Sequence, residues 1–523
     1  MAAKKARDEI GERDLEMGAR GDYDFHTAAK ELDNDTLRHS VVDGVAFHHA
    51  GLSKNDKDRV ERWFKEGKIQ LLFSTSTLAW GVNLPARCVV IRDTKYHDPL
   101  EGEVDISPLD VLQMLGRAGR PGYDDVGYGW VVCDRSDADK YRTLLREGKE
   151  IESRLAEDLD SHLNAEIALG TISGLDDVMS WLETTFYYVR AGTEPEAYDF
   201  EGVRDRVRDT LDSLVDRGFV ETDGQLGVAA TTLGRLASKY YLRMETAERF
   251  AELGERETID EGAVLHVVAS AAEFDSASSR SSEADAVDRV LSDVDTSLEG
   301  GNRKVLAILH AAVRGSMPSD LRSDAWIIRQ NALRLLAALR EFADAVAGPR
   351  AANLVRRVEA RVEHGVKREA VGLTAIEGVG EGRAESLSAG GLTTPADVIA
   401  AGADRLTRAG LSEGVAERVL RQAEDLPNAV VEWGAFPESI GTGENEMLEV
   451  TVRNVGGSAR AGIRVTANGV EMTEKTLYFS DETTVPVGVF GAPGEAEMRY
   501  EVEIVYPELP LLPETDSRIV RVD

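Results

Sequence analysis

Apolar positions along the chain change their period several times, and each change marks a different kind of element. In the N-terminal portion, short apolar runs at Leu71–Phe73, at Cys88–Ile91 and within GYGWVVCD (Gly127–Asp134) alternate with stretches of helical period. The stretch SKNDKDRVERWFKEG predicts a helix. Ser53 stands at its N-cap, Asp56 at the capping-box position and Gly67 at its stop, with Val60, Trp63 and Phe64 as the apolar stripe. A second helix is predicted from about Pro108 to Leu115. Buried strands alternating with helices imply a parallel α/β sheet, in which ligands bind beyond the carboxyl ends of the strands. Those ends fall at Ser74–Asn83 and Arg117–Asp124.

From about residue 150 the period is helical, broken by FVETDGQLGV (Phe219–Val228), which reads as two strands around an Asp-Gly turn. Helix, hairpin and helix together fit a winged helix. Residues 243 to about 365 read as a helical bundle, in which Ala325–Val346 carries Ile328, Leu335, Leu339 and Phe342 on one face. Trp326, Arg329 and Arg340 approach a shared flank of that helix. LTAIEGVGEGRAESLSAGG then resembles a helix-hairpin-helix. Its tight turn is Gly378-Val379-Gly380, whose amides at the next helix's start suit a phosphate. Glu377 and Glu381 beside the turn weaken that phosphate reading, and a structural hairpin is the alternative. From about 428 the alternation becomes strand-like, with an Asn-Gly turn in ANGV, and predicts an antiparallel β-sandwich of immunoglobulin or fibronectin type.

Composition alters this picture mainly through charge. Asp and Glu number 94 against 61 Lys and Arg, a formal net charge of −33. Such a surface repels a nucleic-acid backbone at ordinary ionic strength. In molar salt the Debye length falls to ~3 Å, the repulsion is screened, and solvated carboxylates keep a protein soluble. The balance therefore fits a halophilic host, where local arginine clusters say more about nucleic acid than net charge does. An acidic protein whose partners are proteins is the alternative. Cys88 and Cys133 lie in apolar runs and are expected to be buried, reduced thiols. No Cys/His cluster has zinc spacing, so no metal site is expected. No apolar run approaches the ~20 residues of a membrane span, and the N-terminus lacks an apolar signal region, which points to the cytoplasm.

The densest candidate chemistry is QMLGRAGRPGYD (Gln113–Asp124). Read as one helical turn, Arg117 and Arg120 project from a single face, with Gly116 and Gly119 leaving room beside them. Guanidinium forks at a domain edge suit a polyphosphate brought by a neighbouring domain. Equally, they suit a surface helix end whose arginines pair with Asp124 and Asp125.

Three stretches in order, FHHAGLS (Phe47–Ser53), STSTLAWGVNLPA (Ser74–Ala86) and QMLGRAGRPGYD, resemble motifs IV, V and VI of Ski-two-like superfamily-2 helicases. HLNAEIALGTISGLDDVMSWLETTFYYVR and TTLGRLASKYYL continue the likeness to the subgroup of the spliceosomal unwinding helicase and its meiotic and repair relatives. The resemblance implies the C-terminal part of an ATP-dependent RNA or DNA helicase, from a halophilic archaeon by its charge. The implied order is an N-terminally incomplete second RecA-like domain (1–148), a winged-helix region (149–242), a helical ratchet bundle (243–366), a helix-hairpin-helix (367–427) and a β-sandwich (428–523). It makes Arg120 the arginine finger, places Arg117 near the γ-phosphate, and has Gln113 open the same motif. Gly81 and Asn83 would face the ribose and the coupling interface, and Thr75 and Thr77 the strand phosphates, with His49 and Gly51 nearby. Trp326, Arg329 and Arg340 would grip single-stranded nucleic acid, and Lys95–Ile106 matches the strand-separating hairpin.

The chain departs from the family in having no G-x-x-x-x-G-K-[ST]. DEIG at Asp8–Gly11 follows no buried strand and is no DExH box. The cradle for ATP and the Mg2+ ligands are therefore expected from a first RecA-like lobe, supplied upstream or by a separate chain. Alone, these residues are expected not to hydrolyse ATP efficiently. A non-catalytic adaptor derived from a helicase is the alternative, although an adaptor has no use for an arginine finger.

Overall fold

The computed structural model describes residues 2–13, 24–49, 51–75, 84, 86–98, 102–120, 122, 124–148, 150–223, 227–256 and 258–523. It forms two compact units, one of residues 1–98 and 103–151, the other of 99–102 and 152–523.

In the first unit, α1 (Ala2–Glu12) and α2 (Asp35–Val42) accompany a parallel pair of strands, β1 (Val45–His48) and β2 (Leu71–Ser74). Between them runs α3 (Lys54–Lys65), begun where the sequence predicts: Ser53 Oγ accepts the Asp56 N–H at 3.1 Å. Asp56 is buried, and its carboxylate takes the N–H groups of Asp33 (2.7 Å) and Asn34 (3.1 Å), fastening the preceding loop. Phe25, Leu37, Val41, Val60, Trp63 and Ile69 close this small core.

A second parallel pair joins β3 (Cys88–Ile91) to β6 (Tyr128–Val131), while β4 (Lys95–Asp98) and β5 (Gly102–Asp105) make a separate ribbon. On one face of this pair, Ile91 packs with Val111 of α4 (Pro108–Leu115) and with Tyr141 and Leu144 of α5 (Ala138–Glu147). Among the described residues the opposite face is exposed. Val90 is 50% exposed, Tyr128 46%, Trp130 61% and Val132 52%, and Cys88 is exposed with Cys133 half-buried. This corrects two expectations. Among the described residues the parallel strands form two separate pairs rather than one sheet, and neither GYGWVVCD nor Cys88 is buried. The physical reason is one-sided cover, because a parallel sheet buries both faces only when helices lie on both.

In the second unit one continuous core runs from Leu159 to Val362. It joins α6 (Leu159–Leu169) and α7 (Val203–Asp216) to a hairpin, β7 (Val220–Thr222) and β8 (Val228–Ala230), and then to α8 (Thr232–Lys239). Thr222 stands opposite Val228, so the connection is five residues long rather than a two-residue Asp-Gly turn. Asp223 begins it by accepting the Gly227 N–H at 2.9 Å. The core continues through α9 (Met244–Gly254), α10 (Glu261–Ala269), α11 (Gly300–Val313), α12 (Arg322–Ala347) and α13 (Pro349–His364). Ile328, Leu335, Leu339 and Phe342 of α12 are fully buried, and the chain folds back through Gly348 (φ 81°) into α13.

The start of α12 is pinned by a buried ionic cluster. Lys304 Nζ lies 2.6 Å from Asp324 and 2.9 Å from Glu283, and Arg280 makes a two-pronged bond to Asp324 at 2.9 and 3.0 Å. The Ser-rich stretch at 270–285 thus supplies two members of a structural lock, Arg280 and Glu283. A smaller core follows around α14 (Glu381–Ala389), α15 (Pro395–Arg408) and α16 (Glu413–Glu424).

The C-terminal β region has two sheets over one core. One orders β10 (Ser439–Ile440), β16 (Glu514–Val522), β15 (Glu497–Val505), β12 (Ala459–Ala467) and β13 (Val470–Phe479); the other orders β14 (Glu482–Phe490), β11 (Asn445–Asn454) and β9 (Ala429–Glu432). All pairings are antiparallel except the two-residue contact of β10 with β16. Asn468 (φ 48°) and Gly469 (φ 80°) form the predicted two-residue turn between β12 and β13. Asn353 on α13, fully buried, directs its amide at the carbonyls of Tyr506 (2.9 Å), Leu509 (3.1 Å) and Leu511 (3.0 Å). Arg460 on β12 forks onto Asp344 of α12 at 2.6 and 3.1 Å.

Burial raises the Asp324 carboxyl, but hydrogen bonds from Lys304 and Ser323 and the charges of Lys304 and Arg280 outweigh it and hold it below its usual range. The lock therefore contributes stability above the unfolded carboxylate pKa of ~3.9 and loses it as pH falls through the lower folded value. Lys304→Ala is expected to cost about 3–5 kcal/mol at neutral pH. Urea unfolding should show this loss shrinking as the solution is acidified and the stranded carboxylates protonate.

Candidate nucleotide and nucleic-acid sites

α4 opens at Ser107, whose hydroxyl accepts the Asp110 N–H at 3.1 Å, and ends at Gly116. The helix therefore stops before Arg117, which overturns the expectation that Arg117 and Arg120 share a helical face. Instead they bracket a turn in which Gly119 adopts φ 93°, a left-handed value that a side chain resists. That turn is stitched to the chain near β3: the Ala86 N–H donates to the Arg117 carbonyl at 2.9 Å, and the Gly119 N–H donates to the Ala86 carbonyl at 2.7 Å. Gly127 passes so close that a Cβ there would stand 2.5 Å from the Ala118 carbonyl carbon.

Arg117 is half-buried and Arg120 exposed, while Gln113 is half-buried on α4. Arg120 forks onto Asp124 through Nε (2.7 Å) and Nη2 (2.9 Å), and its N–H donates to the same carboxylate at 3.0 Å. The Arg120 side-chain hydrogen bonds hold the Asp124 carboxyl down at about 2. Of the two carboxylate partners that the surface-helix reading named, Asp124 is engaged by Arg120. To meet a phosphate, Arg120 must exchange this carboxylate for it.

At the carboxyl ends of β1 and β2 an open cleft of about 350 Å³ brings together two predicted residues, His49 and Thr75, with Phe47, Phe73, Asn34 and Thr36. His49 Nδ1 accepts the Gly51 N–H at 3.1 Å, and its ring stacks on Phe47 with centroids 5.7 Å apart. Asn34 and Thr36 carry no motif that would single them out. Thr77, Gly81 and Asn83 lie outside the described residues, as do 99–101 within the segment Lys95–Ile106. Among the described residues no group of three or more His, Cys, Asp or Glu is placed to hold a metal ion.

In the second unit Trp326 projects from α12 with 71% of its surface exposed. Arg329 and Arg340 are not open to solvent in the same way. Arg329 caps α13, donating to the carbonyls of Val362 (2.7 and 3.1 Å) and Glu363 (2.8 Å), and Arg340 reaches Glu359 at 3.5 Å. Both point across to α13, because their flank of α12 is the one that α13 covers. At the hairpin turn Gly378 has φ 82°, Val379 is buried and Gly380 is the N-cap of α14. The Arg383 guanidinium donates to the Gly378 carbonyl and holds the turn closed on itself.

Three family descriptions match successive parts of the chain. Residues 24–122 match the helicase conserved C-terminal domain, 152–225 a winged helix-turn-helix domain, and 230–510 the Sec63 Brl domain. Activating signal cointegrator 1 complex subunit 3 of Homo sapiens is 36% identical over 61% of this chain and 16% of its own length. The U5 small nuclear ribonucleoprotein 200 kDa helicase of Drosophila melanogaster is 36% identical over 65% of this chain and 17% of its own. A DExH-box ATP-dependent RNA helicase of Arabidopsis thaliana is 37% identical over 48% and 12% respectively. The chain therefore spans less than a fifth of each of these relatives. Among solved structures, a CARDB domain from Pyrococcus furiosus matches at 22% identity over 18% of this chain and 89% of its own, with a TM-score of 0.17, too low to speak for a shared fold.

The Arg120–Asp124 fork is directly measurable. Carboxyl-carbon NMR should place the Asp124 midpoint at about 2 in the wild type. In Arg120→Ala the midpoint should rise toward the unperturbed ~3.9. A wild-type midpoint already at the unperturbed value would mean that the fork does not hold in solution.

Proposed function

The chain belongs to the family of the Sec63 Brl domain, and from that premise we propose that it is the C-terminal part of an ATP-dependent nucleic-acid helicase. The observation that carries the reading is the turn at Gly116–Arg120. It is bonded to Ala86 on both sides, two residues before β3, and it carries Arg117 and Arg120 in a sequence with no G-x-x-x-x-G-K-[ST]. Such an arrangement serves a nucleotide held by another lobe, through the arginine-finger stabilisation of a transferring phosphoryl group.

Bound ATP supplies the phosphoryl-transfer free energy that opens and closes the two RecA-like lobes. Arg120 leaves Asp124 for the transferring phosphate, Arg117 supports it, and Gln113 positions the turn from α4. Gly81 and Asn83 face the ribose. Thr75 and Thr77 take strand phosphates, with His49 and Gly51 nearby; of these, His49 and Thr75 share the cleft at the carboxyl ends of β1 and β2. On α12, Trp326 stacks on a base, while Arg329 and Arg340 fix that helix against α13. The amides after Gly378 and Gly380 meet a further phosphate once Arg383 swings away. The immunoglobulin- or fibronectin-like β-sandwich is a packing module for α12 and α13. The strand is RNA by the likeness to a named RNA helicase. The acidic excess supports a high-salt host.

The test is ATP turnover in a complex of this chain with the lobe that carries the phosphate loop. Arg120→Ala is expected to lower stimulated turnover ~10³-fold or more. Unchanged turnover would remove the finger from the mechanism.

A further inference from the structure

Helix α8 ends with a hydrogen-bond pattern that ordinarily calls for glycine. The Tyr241 N–H bonds the Ser238 carbonyl at 3.1 Å and the Leu242 N–H bonds the Ala237 carbonyl at 3.0 Å, with Tyr241 itself at φ 51°. α7 closes in the same way, with Gly218 (φ 75°) at the equivalent position. Among the described residues the other non-glycine positions of positive φ are Asp199 and Asn468, whose short polar side chains tolerate that conformation. A tyrosine there is strained, and strain of this kind needs a reason.

Packing does not provide one, since Tyr241 is 89% exposed. Its neighbour Tyr240 makes the structural contacts: its hydroxyl donates to Glu341 at 2.6 Å and its carbonyl accepts from Arg334 at 2.7 Å. These bonds fix the turn to α12, the helix that presents Trp326. Arg334 lies eight residues beyond Trp326, about 12 Å along the axis at the usual helical rise. Lys239 and Arg243 flank the turn, anchored to Glu341 at 2.7 Å and to the Ala272 carbonyl at 3.4 Å.

We propose that Tyr241 is a second stacking platform for single-stranded nucleic acid, holding a base a short distance along the strand from the one on Trp326. The proposal rests on the helicase reading above. An aromatic face accepts any base, so the platform adds grip without sequence preference. The left-handed turn keeps the ring out of the protein, where a strand can reach it.

Fluorescence anisotropy of a labelled oligouridylate of about 12 nucleotides, within the range such sites cover, tests this on the full chain alongside thermal unfolding. Tyr241→Gly relieves the strain, so its melting temperature should rise while affinity falls roughly 5- to 100-fold, the size of one lost base stack. Tyr241→Phe should bind as the wild type does. A structural residue would move both readouts together, so Tyr241→Gly losing stability along with binding would overturn the proposal. So would Tyr241→Gly binding normally while Trp326→Ala binds weakly, an outcome that leaves the helicase reading intact. Wild-type protein that binds no oligouridylate would overturn both.

Discussion

The burial of α12 organises the second unit. Ile328, Leu335, Leu336, Leu339 and Phe342 are all removed from water, each worth ~1.5–3 kcal/mol of transfer free energy. Polar bonds then fix the helix about its own axis. Arg329 and Arg340 engage α13 on one flank, Arg334 and Glu341 engage Tyr240 on the other, and the Lys304 cluster holds the first turn. What remains facing solvent is a narrow stripe headed by Trp326. A helix so constrained can bear on a strand without rolling, which is what a grip needs.

The first unit has the opposite character. Its two parallel pairs have small cores, and the outer face of β3 and β6 shows Val90, Tyr128 and Trp130 to solvent. The candidate nucleotide turn is nevertheless rigid, because backbone bonds to Ala86 and a close pass of Gly127 set it before any ligand arrives. Arg120 is held in its fork by Asp124 in the meantime. The fork keeps the guanidinium oriented, and under the proposed function a phosphate would have to displace that carboxylate.

Elements with local causes were legible in the sequence. α3 and α4 carry their own caps at Ser53 and Ser107, α12 carries a long helical period, and the Asn468–Gly469 turn has a dipeptide that suits it. Side-chain partners were not legible, because they are set by distant chain. Arg329 looks free on a helical wheel, yet its acceptors are Val362 and Glu363 on the next helix. Lys304 looks like a surface lysine until Glu283 and Asp324 enclose it. Exposure of Tyr128 and Cys88 depends on what covers a sheet, which no run of apolar residues encodes. The arginine pair failed as a helical face for a smaller reason: Gly116 caps the helix before Arg117, and Gly119 at φ 93° takes the chain out of helical geometry before Arg120.

The central claim is that this chain grips one strand along α12 and at the Gly378–Gly380 turn. Photo-cross-linking of single-stranded RNA carrying 4-thiouridine, with the attached peptides identified by mass spectrometry, tests it most directly. The account predicts cross-links on peptides that contain Trp326 and on the segment from Glu377 to Arg383. Cross-links confined to the β-strands after Ala429, or none at either predicted place, would contradict it.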